Sequence, residues 1–239
     1  MVQKTVWLPE IGELTLSKRK GSRNIRLSVT AAGKVRVGLP AWAPYAMGIS
    51  FAQKRSGWIQ KHLESHPKQQ VLDGDRIGKS YRLKYIHQPE AHRTSARVGA
   101  NTVVITSSLP LSNPAVRKKA VEASERALKK EAEALLPQRL DLLARRHGFG
   151  YASLRIKKLV SRWGSCSNKG DITLNYFLIQ LPWPLVDYVI IHELVHTKHL
   201  NHSPLFWEEF ESVYPGAKNF RGQIRGYRPV LNSLSASVA

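Results

Sequence analysis

The feature that most constrains this chain is an apolar segment, LVDYVIIHELVHTKHL, at residues 185–200. Pro182 and Pro184 precede it and Asn201 and Pro204 follow it, so the pattern predicts a helix between these limits. A helix this apolar must be buried on most sides. Histidine and glutamate side chains in such a helix need polar partners, because burying them without partners is costly. The segment therefore indicates a binding site inside the fold.

Two of the histidines are spaced for shared metal binding. His192 and His196 are four residues apart, which puts their imidazoles one turn apart on the same face of a helix. Both can reach one ion at Zn–N distances of about 2.0–2.1 Å. Glu193 is rotated away from this face, beside the ion, where it can take a proton from a water molecule that the metal activates. This is the H-E-x-x-H arrangement of metal-dependent hydrolases.

The third ligand is less closely determined by spacing. His199 lies seven residues from His192, about 10.5 Å along a helix axis, which is too far for easy convergence on a small ion. We therefore expect His199 to be a structural neighbour. His202 could return to the ion if Asn201 took a left-handed conformation and reversed the chain. The rival ligands lie on a predicted following helix: Glu208, Glu209 and Glu211.

Two groups of zinc peptidases offer precedents for the third ligand. Metzincins also place a third histidine ten positions after the first, as in His192 and His202, but they need a methionine turn downstream. The methionines here are Met1 and Met47, both upstream, so that assignment fails. Gluzincins take a downstream glutamate, which matches the rival ligands.

Charge and cysteine content limit the partners and the compartment. The 37 Lys and Arg residues against 17 Asp and Glu give a net charge of +20, which attracts polyanions such as nucleotides, nucleic acid or acidic protein segments. A general solubility bias explains the charge equally well, and no nucleic-acid-binding motif accompanies it. A single cysteine, Cys166, excludes an internal disulfide. With no apolar signal segment and no membrane-spanning run, we expect a cytoplasmic protein without a membrane partner.

The chain is predicted to contain a β-rich basic N-terminal subdomain, residues 1–112, and a catalytic domain, residues 113–239. In the first, IRLSVTAAGKVRVGLP predicts a hairpin, PYAMGISFAQKRSGWIQKHLESH predicts helices, and two glycine-containing segments after residue 72 predict short strands. In the second, Asn113 and Pro114 predict the start of a long helix, with a kink or break at Pro137 and a stop at Gly148. SCSNKGD predicts the turn of a second hairpin.

Several blocks of the sequence resemble the YgjP-like metallopeptidase family, which is related to the SprT-like and WLM zincins. The strongest are SRWGSCS, ITLNYFLIQLP and DYVIIHELVHTKHLNHSPLFW, and KRKGSRNIRLSV and GKSYRLKYI also look like this family. The resemblance implies an α+β, zincin-like core with the H-E-x-x-H helix and a small antiparallel sheet. It also implies His192, His196 and His202 as zinc ligands and Glu193 as the general base.

The predicted function is that of a zinc-dependent hydrolase, foremost a peptidase, with another divalent ion such as nickel as the alternative metal. The alternatives are a metal-dependent nucleotide pyrophosphatase, as some family members have been described, and a nucleic-acid-associated SprT-like protease. Residues 171–177 are the candidate edge strand that pairs with a peptide substrate. Arg162 could bind a carboxylate or phosphate, or pack against Trp163. Cys166 is a weaker candidate as a nucleophile or fourth ligand.

No residue can be assigned from sequence as the group that stabilises a developing oxyanion. Four side chains that follow the histidines could polarise an oxygen, and each has an ordinary surface role as its default. They are Tyr214, Tyr227, Arg225 and Arg228.

Overall fold

Runs of strands and runs of helices follow one another along the chain in the computed structural model, which confirms the predicted α+β class. The structure describes residues 3–30, 33–64, 71–229 and 231. The chain divides into two compact units, Met1–Gln70 and Val71–Ala239. The division into subdomains 1–112 and 113–239 stays a prediction.

The first unit contains a four-stranded sheet and two helices. The strands are β1 (Gln3–Leu8), β2 (Gly12–Arg19), β3 (Arg26–Val29) and β4 (Val35–Pro40), and the helices are α1 (Tyr45–Gln53) and α2 (Ser56–Glu64). The sheet order is β1-β2-β4-β3, with β2 parallel to β4 and the other pairs antiparallel. The pairing of β3 with β4 confirms the predicted hairpin, although residues 31–32 of its turn lie outside the described residues. The C-terminal part of the predicted helical segment, residues 65–66, also lies outside them.

The second unit begins with a three-stranded sheet and a long helix. The strands are β5 (Arg82–His87), β6 (Ser95–Val98) and β7 (Thr102–Ser107), in the order β5-β7-β6. The helix α3 (Pro114–His147) begins where predicted, because the Asn113 side chain accepts a hydrogen bond from the Ala115 amide at 2.9 Å. It ends at Gly148, whose φ of 68° is left-handed. The helix continues through Pro137, so of the predicted kink or break the break is wrong, and a kink stays a prediction.

The sheet next to the site is small and mixed. It consists of β8 (Ser153–Lys157), β9 (Gly164–Cys166) and β10 (Asp171–Asn175), in the order β8-β10-β9. β9 and β10 are antiparallel and form the predicted hairpin, whereas β8 is parallel to β10. The prediction of residues 171–177 as an edge strand is wrong, because β10 is the central strand and residues 176–180 form a 3-10 helix. The alternation of apolar residues in this segment indicates a strand, but it does not indicate which strands pair with it.

The apolar segment forms α4 (Trp183–Val195), whose side chains are nearly all buried. Asp187 of α4 accepts two hydrogen bonds from the Arg139 guanidinium of α3, at 2.7 and 2.5 Å, and this bidentate pair ties the two helices together. Two further helices follow, α5 (Pro204–Val213) and α6 (Ala217–Ile224). Among the described residues, no helix is both long and apolar enough to cross a membrane.

Helix α4 ends five residues earlier than its apolar pattern predicted. The Thr197 amide and hydroxyl both bond to the Leu194 carbonyl, at 3.0 and 2.7 Å, and these short-range bonds close the helix in a turn. The predicted left-handed conformation of Asn201 is wrong, since every positive φ among the described residues belongs to a glycine. Instead, the Asn201 side chain accepts a hydrogen bond from the Ser203 amide at 3.2 Å. Ser203 in turn caps α5.

Candidate metal centre

Three histidine rings meet at the C-terminal end of α4. The Nε2 atom of His192 lies 3.2 Å from Nε2 of His196 and 3.1 Å from Nε2 of His202. Nitrogens of the three residues all lie within 4.8 Å of one another. The early end of α4 produces this arrangement, because the chain turns back at residues 197–201 and carries His202 to the two helical histidines. The structure therefore brings together the three residues that the sequence predicted as metal ligands.

The donor set fits a divalent metal ion. Two ligands on a tetrahedral zinc ion, each at about 2.0–2.1 Å, are separated by roughly 3.3 Å, close to the nitrogen separations here. The Nδ1 atom of His196 lies 2.9 Å from the carbonyl oxygen of His199. Because that oxygen can only accept, Nδ1 carries the proton and the lone pair of Nε2 faces the other two rings. Phe206 of α5 lies beneath all three rings, with centroids 4.7–5.1 Å from theirs.

Burial keeps His192 in the neutral form that binds a metal. Burial lowers its pKa to about 3, and the positive charges of His196, His202 and Arg221 act in the same direction. Its Nδ1 atom is buried and has no hydrogen-bond partner among the described residues. Burial also lowers the pKa of His202, and the positive charges of His196 and Arg221 contribute. The lowered pKa values of His192 and His202 favour the neutral form in which an imidazole binds a metal ion.

His199 and the rival glutamates point elsewhere. The His199 ring pairs with Glu209 of α5 at 2.6 Å, and Lys198 pairs with the other oxygen of that carboxylate, also at 2.6 Å. Glu211 accepts a hydrogen bond from the Gly216 amide at 2.7 Å. None of the three glutamates belongs to the group of converging side chains. His199 thus contacts the site through its carbonyl oxygen, as the sequence-based assignment to a neighbouring role expects.

Glu193 lies beside the histidines and is only 5% exposed. Burial raises its pKa to about 8, which the positive charge of Arg162 opposes. Its carboxylate receives no hydrogen bond from any described residue. The backbone of Gly164 in β9 lies directly against it: a Cβ on Gly164 would be 2.6 Å from Oε1 and 2.9 Å from Cδ of Glu193. Any larger residue at position 164 would therefore force the Glu193 side chain to move.

A cleft of about 460 Å³ opens in front of these residues. Its walls are β9 with the preceding Arg162 and Trp163, helix α4, and the side chains of Leu200 and Ile224. Cys166 also lines it, but burial raises the pKa of its thiol to about 11, with the charges of Glu193 and Asp171 adding to the effect. A thiol held in its protonated form does not suit the nucleophilic role considered for it.

The comparison with known families decides the assignment. The YgjP-like metallopeptidase domain matches residues 23–227. The chain belongs to the YgjP-like metallopeptidase family. It is therefore a metal-dependent hydrolase, and the resemblance inferred from its sequence blocks is confirmed.

Two solved structures resemble parts of this YgjP-like chain. The metallopeptidase zymogen abylysin of Pyrococcus abyssi is 32% identical and covers 38% of this chain and 91% of its own, with a TM-score of 0.35. The metallopeptidase zymogen jannalysin of Methanocaldococcus jannaschii is 20% identical and covers 36% of this chain and 89% of its own, with a TM-score of 0.33. A search of curated proteins found no match. The comparisons give no support for a nucleic-acid partner.

Two residues near the YgjP-like site escaped the sequence analysis. The first is Gly164, within SRWGSCS. A glycine in a strand gives no sequence signal for the side chain that packs against it. Asn175 is fully buried, and its side-chain amide donates to the carbonyls of Leu159 and Arg162, both at 2.9 Å. Its backbone amide also donates to the Trp163 carbonyl at 2.8 Å. Asn175 thus holds the loop before β9 in place.

None of the four candidate oxyanion-stabilising residues lines the cleft in the described chain. The Tyr214 hydroxyl donates to the Pro184 carbonyl at 2.8 Å, so it is engaged away from the histidines. Tyr227 and Arg228 do not line the cleft. Arg225 follows α6 and its charge acts on Tyr188, a residue of the cleft wall.

Proposed function

We propose that this YgjP-like protein is a zinc-dependent peptidase in which His192, His196 and His202 hold the metal and Glu193 is the general base. One observation carries the proposal. Three imidazole nitrogens converge beside a buried carboxylate that has no donor among the described residues, and the group opens into a cleft. A structural zinc site would instead be closed by a fourth protein ligand.

Zinc bound by the three histidines supplies a Lewis acid that polarises a carbonyl oxygen and makes water more acidic. The described donors are imidazoles alone, which suit zinc but also nickel. The chain's own contribution begins with the orientation of these rings. The His199 carbonyl fixes the tautomer of His196, and the ring of His199 is fixed by Glu209.

Glu193 moves the proton. In the proposed reaction its carboxylate takes a proton from the attacking water and passes it to the amine that leaves. Both steps require a carboxylate oxygen that is not committed to another donor, which is the state observed for Glu193. The Gly164 backbone limits where the carboxylate can lie.

Strand β9 supports a peptide as the substrate. It is an outer strand of its sheet, and its three residues all line the cleft. We propose that an extended substrate backbone pairs with this edge in front of the histidines. This moves the proposed substrate-binding strand from residues 171–177, where the sequence placed it, to residues 164–166.

Metal analysis followed by a peptide screen tests the proposal. We expect about one zinc ion per chain in the wild type, reduced content in His202→Ala, and unchanged content in the control His92→Ala, whose side chain is exposed. Peptide cleavage by the zinc-loaded protein should disappear in Glu193→Gln. Full metal content in His202→Ala would contradict the ligand assignment, and full activity in Glu193→Gln would contradict the mechanism.

A metal-dependent nucleotide pyrophosphatase is the second candidate, since Arg162 lines the cleft and the net charge of +20 favours an anionic substrate. The same preparation should therefore be offered nucleoside triphosphates. Release of pyrophosphate that His192→Ala abolishes, without cleavage of any peptide, would favour this candidate over the peptidase.

A further inference from the structure

Three arginine side chains flank the cleft without an acidic partner among the described residues. Arg162 precedes β9, and Arg221 and Arg225 lie on and just after α6. All three are exposed, and the salt bridges of the described chain involve other residues. Their guanidinium groups are therefore available to a ligand of the cleft.

Arg221 and Arg225 belong to the α6 segment, which packs against α4. They are four residues apart, so they lie on one side of the helix, together with Ile224, which lines the cleft. After burial, the charge of Arg221 is among the causes that lower the pKa of both His192 and His202. Both arginines also act on Tyr188 in the cleft wall. The charge of Arg221 therefore acts on the proposed metal ligands, and the charge of Arg225 acts on the cleft wall.

Arg221 makes a cation–π contact with an aromatic ring next to the histidines. Its guanidinium carbon lies 4.9 Å from the ring centroid of Trp207, and the Trp207 ring stacks on His202 with centroids 5.8 Å apart. Stacking uses the flat face of a guanidinium and leaves its N–H groups free to donate. Arg221 thus presents donors beside a proposed metal ligand.

Arg162 brings positive charge from the wall that β9 forms. It lines the cleft, and its charge acts on Glu193. Glu193 itself is the one acidic residue among those that line the cleft in the described chain. Around a bound divalent cation, a site with cationic groups on both sides and a single buried carboxylate favours an anionic substrate.

We propose that the site takes acidic peptides, with a carboxylate side chain close to the cleaved bond held by Arg162, Arg221 and Arg225. This inference rests on the proposed peptidase function and deepens it. A peptide is favoured over a free phosphate compound because the exposed edge of β9 offers backbone pairing, which a nucleotide cannot use. The arginines determine specificity and take no part in the bond cleavage.

Binding and cleavage of matched peptides test the inference. Peptide pairs of equal length should differ only in Glu versus Gln, or Asp versus Asn, near the cleavage site. Binding is measured by fluorescence anisotropy on zinc-loaded Glu193→Gln protein, so that the peptide persists, and kcat/KM is measured on zinc-loaded wild type. Exposed ion pairs are individually weak, so three arginines together should favour the acidic peptide by about fivefold to tenfold.

Charge reversal provides the discriminating variants. Arg221→Glu with Arg225→Glu should abolish or invert the preference and weaken its salt dependence. Arg97→Glu, at an exposed position on β6, introduces the same charge change away from the cleft and should leave the preference intact. Zinc content is measured for each variant, so that weaker substrate binding can be distinguished from weaker metal binding.

Each outcome has a defined meaning. Equal binding of acidic and amide peptides overturns the inference, even if peptides are cleaved and the peptidase function stands. Tighter binding and hydrolysis of a nucleoside triphosphate, weakened by the double arginine variant, would also overturn it and assign the arginines to phosphate. If no peptide is cleaved, the peptidase proposal fails, and the binding preference still decides what the cleft recognises.

Discussion

Two glutamates in the second unit are buried to the same extent, and each lies against a glycine, yet their surroundings are opposite. Glu131 of α3 and Glu193 of α4 are both 5% exposed. The carboxylate of Glu131 accepts hydrogen bonds from the amides of Lys79 and Ser80, at 2.8 and 2.6 Å, and from the Ser80 hydroxyl. Glu193 accepts none from any described residue.

The difference in hydrogen bonding distinguishes a structural carboxylate from one whose oxygens are available to accept a proton. Donors from residues 79 and 80 satisfy the buried carboxylate of Glu131 and commit its oxygens to holding the loop in place. Burial without donors raises the pKa of Glu193 to about 8 and leaves its oxygens uncommitted. Burial alone therefore does not mark a catalytic group, whereas burial without donors beside three histidines supports such a role.

The largest expected effect comes from Glu193→Gln. Glutamine keeps the shape but cannot accept the proton, so we expect kcat to fall by about 100-fold to 10,000-fold with zinc content unchanged. The paired variant Glu131→Gln should keep the turnover of the folded enzyme. Steady-state kinetics and metal analysis of both proteins check this, and equal loss of kcat in the two variants would remove the distinction.

Substitution of alanine for Gly164 or Gly78, the glycines next to the two glutamates, should affect activity in one case and stability in the other. In Gly164→Ala the new Cβ would displace the Glu193 carboxylate, and a displacement near 1 Å can lower kcat by about 100-fold. In Gly78→Ala the Cβ would be 2.0 Å from an oxygen of Glu131, so the cost should appear in the free energy of unfolding instead. Kinetics and urea denaturation of both variants test the contrast. Unchanged kcat in Gly164→Ala would show that Glu193 does not depend on this contact.

Stability should respond to Glu131 more than to Glu193. Glu131→Gln leaves a backbone amide of the 79–80 loop without its acceptor, at a cost of about 1–3 kcal/mol in unfolding free energy. Glu193→Gln replaces a buried carboxylate that has no donor among the described residues, and it should cost little. Urea unfolding of the metal-free proteins measures both values. A larger loss in Glu193→Gln would mean that its carboxylate has an important stabilising partner.

The smallest effect concerns a third carboxylate, Glu209, which is partly exposed. Burial opposes its ionisation, but hydrogen bonds from Lys198 and His199 outweigh burial and lower its pKa. A lowered pKa in the folded state stabilises the protein above the ordinary pKa of 4.5, and that stability is lost as pH falls through the lowered value. The stability difference between wild type and Glu209→Gln should shrink over this range. A difference that does not change with pH would contradict the assignment.

Local spacing was sufficient to predict part of the site but not its surroundings. His192 and His196 follow from helical periodicity, since residues four apart share a face in any helix. His202 was predicted on the assumption that Asn201 reverses the chain in a left-handed conformation. The structure does place His202 beside the other two histidines, but the stated cause is wrong, because the turn is closed by Thr197 and by the side chain of Asn201.

Long-range contacts account for what was missed. The contact of Gly164 with Glu193 joins residues 29 positions apart, and no periodicity relates them. The central position of β10 depends on the parallel partner β8, which the alternation within residues 171–177 does not reveal. Similarly, the long amphipathic pattern around Pro137 continued as one helix because tertiary packing outweighed the cost of a proline.

The three metal-binding candidates span only residues 192–202, and this has a consequence for folding. Closing so short a loop costs little chain entropy, so the three rings can meet early, before distant segments have docked. The backbone that confines Glu193 belongs to β9. The position of β9 depends on its pairing with β10 and on the hydrogen bonds from the Asn175 side chain to the preceding loop. During folding, then, the chain can acquire its affinity for metal first and its hydrolytic competence later.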